Sequence, residues 1–154
     1  MSQELTGSFI RWQSIVREQY TYAINLVLGF SVAALGFQLS LLQNCNFVPS
    51  SWGKCVFSIS LILLFFSIIL GIWIVINRLK DFRLTMGTAR KRESMLKRNK
   101  TEEEINAELL PDRIESKKLG KTTWLLFRWQ LGSFGVGIFF VILATLATFG
   151  QKLL

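Results

Sequence analysis

Few side chains in this sequence have types and spacing suited to chemistry. Cys45 and Cys55 stand ten positions apart around Pro49, Ser50, Ser51 and Gly53, so a disulfide could close that connection in an oxidising compartment. The alternative is two ordinary small residues, one in a loop and one at a helix end. Zinc wants four ligands, and with no histidine anywhere to add to the two thiols, neither a metal site nor a cofactor is expected. All ten carboxylates lie outside three long apolar runs, which removes histidine triads and intramembrane carboxylate relays together. Most of them share a segment with many lysines, the usual composition of a solvated helix face, and no enzyme is expected.

The elements that carry these residues are set by the apolar runs. The chain has 154 residues, 51% apolar and only 18% charged, with a mean hydropathy of +0.39. Residues 23–42 and 56–76 are free of charge, and a third run starts at Trp124, is interrupted by Arg128 and Gln130, and continues through 131–149. A bilayer crossing needs about 20 apolar residues, so each run can span as a helix, and runs this continuous lack the alternation of a barrel strand. The expected fold is an all-α membrane protein. Three transmembrane helices (22–43, 56–77, 123–149) follow an N-terminal interfacial amphipathic helix (1–21), with an outward loop at 44–55, a basic cytoplasmic helical hairpin at 78–122 and an outward tail at 150–154.

Charge gives the orientation. Arg11 and Arg17 precede the first run, one lysine lies in the first connection, and thirteen Lys and Arg lie between Asn77 and Thr122. The positive-inside rule then places the N-terminus and the long connection in the cytoplasm, and the short connection and the tail outward. No cleavable signal peptide is expected, because the first twenty residues lack an apolar core. Trp12, Trp124, Arg128 and Trp129 are the expected interface anchors, the indoles at headgroup depth and the arginine snorkelling. Arg11-Trp12-Gln13 recurs as Arg128-Trp129-Gln130, which reads as two solutions to one anchoring problem. Leu5, Phe9, Trp12 and Val16 share one helical face, fitting either an interfacial helix or a plain extension of the first span.

Lipid solvates apolar side chains, so membrane helices associate through small residues and polar contacts. Tyr22, Asn25, Gly29, Ala33, Gly36 and Ser40 form such a stripe at steps of three or four. Ser60, Ser67 and Gly71 offer one on the second span, and Ser133, Gly137, Ala144 and Thr148 one on the third. These faces either close a three-helix monomer or drive self-association. Neither Asn25 nor Gln38 is charged, and three spans are too few for the inverted repeats of most carriers.

Beyond the second run, Leu79, Phe82, Met86, Ala89 and Leu96 keep a helical rhythm, so the helix is expected to continue to about Arg98 with one apolar face for a partner. Thr101 and Glu104 match a capping box, Pro111 is expected to interrupt the helix it starts, and Gly120 to end a third short helix from Asp112. Residues 77–100 carry nine basic and two acidic side chains, and 101–122 four basic and six acidic, so the arms can pair. Arg90, Lys91 and Arg92 suit anionic headgroups or a protein partner, whereas nucleic acid is not expected with one aromatic in the loop.

Asn77-Arg78-Leu79-Lys80-Asp81-Phe82-Arg83-Leu84-Thr85 followed by Ala89-Arg90-Lys91-Arg92-Glu93, with Gly120-Lys121-Thr122-Thr123-Trp124 and Arg128-Trp129-Gln130, resembles small bacterial inner-membrane proteins to which no activity is assigned. Together these cover about a quarter of the chain. The layout of few spans and a compact cytosolic helical unit is also similar to small membrane effectors found beside bacterial nucleotide-sensing and antiphage systems, a likeness of architecture alone. Two functions are carried forward. One is a self-associating channel or membrane-perturbing effector controlled through the hairpin, with Asn25, Gly29 and Arg128 as its leading residues. The other is a non-catalytic accessory subunit that docks a membrane or cytosolic partner through Leu79, Phe82, Met86 and Ala89.

Overall fold

The computed structural model describes the backbone of residues 2–44, 47 and 49–149, and the side chains of 12, 14–44, 47 and 49–149. Cys45, and with it the expected pairing to Cys55, lies outside the described residues, as do the side chains of Leu5, Phe9 and Arg11 and the tail at 150–154.

Three helices make up the described chain: α1 Ser2–Gln43, α2 Ser51–Lys97 and α3 Glu102–Phe149. All three are long and apolar enough to cross a membrane. α1 runs unbroken past residue 21, so the N-terminal segment and the first span are one helix in backbone terms. Ser50 caps α2, its hydroxyl accepting from the Gly53 N–H at 3.3 Å. Phe47 folds back from the α1–α2 connection onto Val56, Phe57 and Ala144, with ring centroids 5.2 Å from Phe57 and 6.1 Å from Phe149.

α2 continues far beyond its apolar run, as its unbroken series of helix formers requires. It ends in a left-handed residue, Asn99 (φ 53°). Lys100 N–H bonds to the Met95 carbonyl at 3.3 Å and Asn99 N–H to that of Leu96 at 3.1 Å, so the orphan carbonyls are satisfied in a Schellman arrangement. α3 then begins with the expected capping box: Thr101 N–H donates to Glu104 Oε2 at 3.1 Å and Glu104 N–H to Thr101 Oγ1 at 3.5 Å.

Two expectations fail here. Pro111 lies inside α3 and Gly120 does not end a helix; α3 is continuous from Glu102 to Phe149. Proline removes the hydrogen bond to the Ala107 carbonyl and crowds it, but Ile105 and Leu109 before it pack against Met95, and Asp112 and Ser116 after it bond to α2. No described glycine has a positive φ, so Gly120 does not supply the left-handed cap that would stop the helix.

The chain divides into two compact units. One comprises the described residues through Gly71 with those from Gln130 onward, and the other Ile72–Trp129. In the second, Met95, Ile105 and Leu109 form a small buried cluster at the tip of the α2–α3 turn. Replacing Leu109 by Ala is expected to cost about 2–3 kcal/mol, and Pro111→Ala to gain up to about 3 kcal/mol by restoring the backbone bond. Thermal unfolding followed by circular dichroism in micelles measures both.

Candidate functional site

A single face of α2 organises the polar chemistry. Ser60, Leu64, Ser67, Gly71 and Ile74 are buried at alternating steps of four and three. After one three-residue step to Asn77, the alternation resumes through Asp81, Leu84, Thr88, Lys91 and Met95. That average of 3.5 residues is the period that keeps one seam against its neighbours in a left-handed supercoil.

In the first unit the seam holds two polar layers. Ser31 and Ser67 hydroxyls are 3.0 Å apart, Ser67 Oγ reaches the Gln130 carbonyl at 3.2 Å, and Ser31 donates to the Val27 carbonyl at 2.8 Å. Two hydroxyl protons thus serve three contacts. Seven residues along, Gln38 Nε2 donates to Ser60 Oγ, and Ser60 donates to the Phe57 carbonyl. All five of these side chains are completely buried. Both amide atoms of Gln130 and the Gln38 Oε1 are buried and unpartnered.

Ser31 and Ser67 fall near the middle of their apolar runs, so Gln130 packs at that level, inside the bundle. Its position inside the third span, six residues past Trp124, accords with that depth. Gln130 lies against Gly71, where a Cβ would stand 2.6 Å from its Nε2 and 2.8 Å from Leu28 Cδ1. Gly137 makes the corresponding approach to Leu64, at 3.1 Å.

The predicted stripes separate into two kinds. Ser60, Ser67, Gly71, Gly137 and Ala144 are buried and Ser133 half-buried, so the second and third stripes close the monomer. Tyr22, Asn25, Gly29, Ala33, Gly36 and Ser40 are all exposed, and a Cβ at Gly29 or Gly36 would meet nothing within 4 Å. The inward face of α1 is instead Ile24, Val27, Ser31 and Gln38. Trp12, Trp124, Arg128, Trp129 and Cys55 are exposed.

The second unit pairs the two arms through polar groups. Asn77 Nδ2 donates to Thr123 Oγ1 at 2.7 Å and to the Leu119 carbonyl at 3.1 Å. Ser116 Oγ donates to Asp81 Oδ1 at 2.7 Å, and Lys91 Nζ to Asp112 Oδ2 at 2.8 Å. That hydrogen bond and the charge of Asp112 raise the Lys91 ammonium above its ordinary value of 10.5, opposed by desolvation and helped least by the charge of Glu108. A raised value means the contribution is whole below about pH 10 and fades only as pH climbs through the raised value, so Lys91 stays charged and paired at neutrality. Arg90 and Arg92 are exposed on the same arm, and Leu79, Phe82, Met86 and Leu96 are between 47% and 58% exposed. The apolar rhythm read from the sequence is therefore the outer face of the arm, and the packed face is the polar one.

Among the described residues no cluster of His, Cys, Asp and Glu could hold a metal ion. Gln130 escaped the sequence reading because a lone amide at the edge of a run looks interfacial. The signal available was the seven-residue interval between Ser60 and Ser67, matched by that between Ser31 and Gln38 on α1. Gly71→Ala is expected to cost about 1–3 kcal/mol by forcing Gln130 and Leu28 aside, and to cost less in a Gln130→Ala background. A double-mutant cycle of denaturant unfolding in micelles reads that coupling. Compared with known protein families, characterised proteins and solved structures, the chain matches none of them.

Proposed function

We propose that this chain is a small integral membrane protein of the bacterial inner membrane that self-associates and acts as a channel-type or membrane-perturbing effector, controlled through a cytoplasmic hairpin formed by the end of α2 and the start of α3. The observation that carries this reading is the outward stripe on α1. Lipid gives no reason to gather a tyrosine, an asparagine, two glycines, an alanine and a serine on one exposed face, whereas a neighbouring helix does, through close backbone approach and a polar contact at Asn25. The monomer leaves that face unused because its own packing runs through Ile24, Val27, Ser31 and Gln38.

The buried amide of Gln130 supports the effector half of the reading. A carboxamide without partners inside a bundle that spans lipid is costly, and water reached by loosening the helices would satisfy it. α2 and α3 are each continuous helices from the hairpin into the apolar runs. Arg128 precedes Gln130 by two residues, about 3 Å along the helix axis, and its guanidinium is exposed on the outside of the helices.

A second reading rests on the outer face of the arm. Leu79, Phe82, Met86 and Leu96 stay exposed after the arms have paired, which suits an accessory subunit docking a protein partner there, with Arg90 and Arg92 beside it. In that case charge reversal at Arg90 and Arg92 releases a stoichiometric foreign subunit from the protein purified from its own membrane.

Native mass spectrometry of gently extracted protein separates the two. A homo-oligomer of one defined size is expected. Gly29→Leu with Gly36→Leu should shift it to monomer, weakening association at least about tenfold while leaving the unfolding midpoint in place, because neither site has an intramolecular neighbour to clash with. A wild-type monomer, or unchanged membrane permeability in cells expressing the oligomer, would sink the effector reading.

A further inference from the structure

Between the two arms of the hairpin lies a groove of about 300 Å³. Thr85, Thr88 and Arg92 line it from α2, and Asp112, Arg113 and Ser116 from α3, with Leu109 and Ala89 as apolar wall. The size is at the lower end of small-molecule sites.

The chemistry of the lining is sorted along its length. Asp112 is held by Lys91, so its negative charge is already matched, and Arg92 and Arg113 contribute two further positive charges. Among the described residues Arg92 has no hydrogen-bonding partner. Arg113 spends one donor on Asn106 Oδ1 at 3.1 Å and keeps the rest. Two guanidiniums with free forks are the donors that best match phosphate.

Toward the other end, the hydroxyls have spent their protons. Thr85 donates to the Asp81 carbonyl at 2.9 Å, Thr88 to the Leu84 carbonyl at 2.9 Å, and Ser116 to the Asp81 carboxylate at 2.7 Å. What these oxygens offer a ligand is lone pairs, and the adjacent Asp81 carboxylate disfavours an anion there. Seven residues separate Thr85 from Arg92, about 10 Å of helix, so the acceptor end and the cationic end are a small molecule's length apart.

We propose that this groove binds a small organic phosphate, its phosphate on Arg92 and Arg113 and its hydroxyl groups donating to Thr85, Thr88 and Ser116. A free metabolite is favoured over a lipid headgroup by position. Thr88 is twelve residues beyond Ile76, the last residue of the second apolar run, or about 18 Å along α2, whereas the headgroup layer is only about 5–8 Å thick. Binding here goes beyond the self-association reading and does not depend on it. Only the step from an occupied groove to altered spans rests on that reading.

The test is calorimetric titration of the full chain in phosphatidylcholine nanodiscs with ribose 5-phosphate, inorganic phosphate and ribose. Ribose 5-phosphate is expected to bind with Kd at or below about 1 mM, inorganic phosphate more weakly, and ribose without measurable heat. Arg92→Ala with Arg113→Ala should weaken ribose 5-phosphate at least about tenfold. Arg92→Lys, which keeps the charge and loses the fork, should weaken it several-fold with the unliganded unfolding midpoint unchanged. No saturable binding of either phosphate at about 10 mM, or equal binding by the double variant, overturns the site. If phosphatidylglycerol nanodiscs abolish ribose 5-phosphate binding at constant ionic strength, the guanidiniums belong to lipid and the metabolite is overturned. Because permeability is not read, phosphate binding by a protein that makes no leak would sink the effector reading alone.

Discussion

The rest of the structure depends on one constraint: in lipid, apolar side chains gain little by leaving one another's company, so the helices need another reason to meet. α2 supplies it along a single seam. Ser60 and Ser67 bond across to α1, Gly71 and Leu64 receive Gln130 and Gly137 of α3, and each contact works because one partner is small or polar. A seam of leucines alone would be solvated equally well by acyl chains. The small residues bring backbones close, which shortens the hydroxyl contacts, and the hydroxyl contacts fix which faces approach.

In the second unit, past the end of the apolar run, α2 keeps the same spacing of inward positions with different chemistry. Below Asn77 the positions at 81, 88 and 91 carry Asp, Thr and Lys, and their partners on α3 are Ser116 and Asp112. Only at the tip does an apolar cluster of Met95, Ile105 and Leu109 take over. The arms keep Leu79, Phe82, Met86 and Leu96 outside while polar groups hold them together. Exposed ion pairs contribute little, so the arms are held by a small core at the tip, by Asn77 with Thr123 at the base, and by modest polar contacts between. Such an arrangement closes firmly at both ends and leaves the middle open to a polar occupant.

Helix extents were legible in the sequence to the degree that local signals decide them. The apolar runs, the continuation of α2 and the Thr101–Glu104 box each rest on nearby residues, and the structure has them. Pro111 was misread for the converse reason: the proline rule is local, while the contacts of Leu109 and Asp112 with α2 that hold the helix together across it are not. Which face of α1 turns inward was not legible either. Within 23–42 nearly every side chain is apolar, so composition does not mark burial as it does in water, and the small-residue stripe that looked like a packing face is the exposed one. The groove escaped entirely, since it requires pairing residues 85–92 with 109–116 across a turn.

How far an occupied groove could alter the spans is bounded by its affinity. A ligand that binds only one arrangement stabilises it by RT ln(1 + [L]/Kd), which at ten times Kd is about 1.4 kcal/mol, or roughly tenfold in population. Carrying a two-state balance from 1:99 to 99:1 takes about 5.5 kcal/mol, so a weak metabolite switches only a bundle whose two packings are already nearly equal in energy. A feature that raises the energy of the closed packing alone brings it toward that balance, and the unpartnered amide of Gln130 is one. Gln130 keeps both amide atoms unpartnered among helices that span lipid, and Pro111 breaks the backbone ladder of α3 one residue before Asp112. Each costs of the order of 1–3 kcal/mol, comparable to what the groove can return. In a bundle meant only to be stable, both positions would be better filled by leucine and alanine. Pro111 weakens α3 whichever way the helices pack, so of the two only the buried amide of Gln130 bears on that balance.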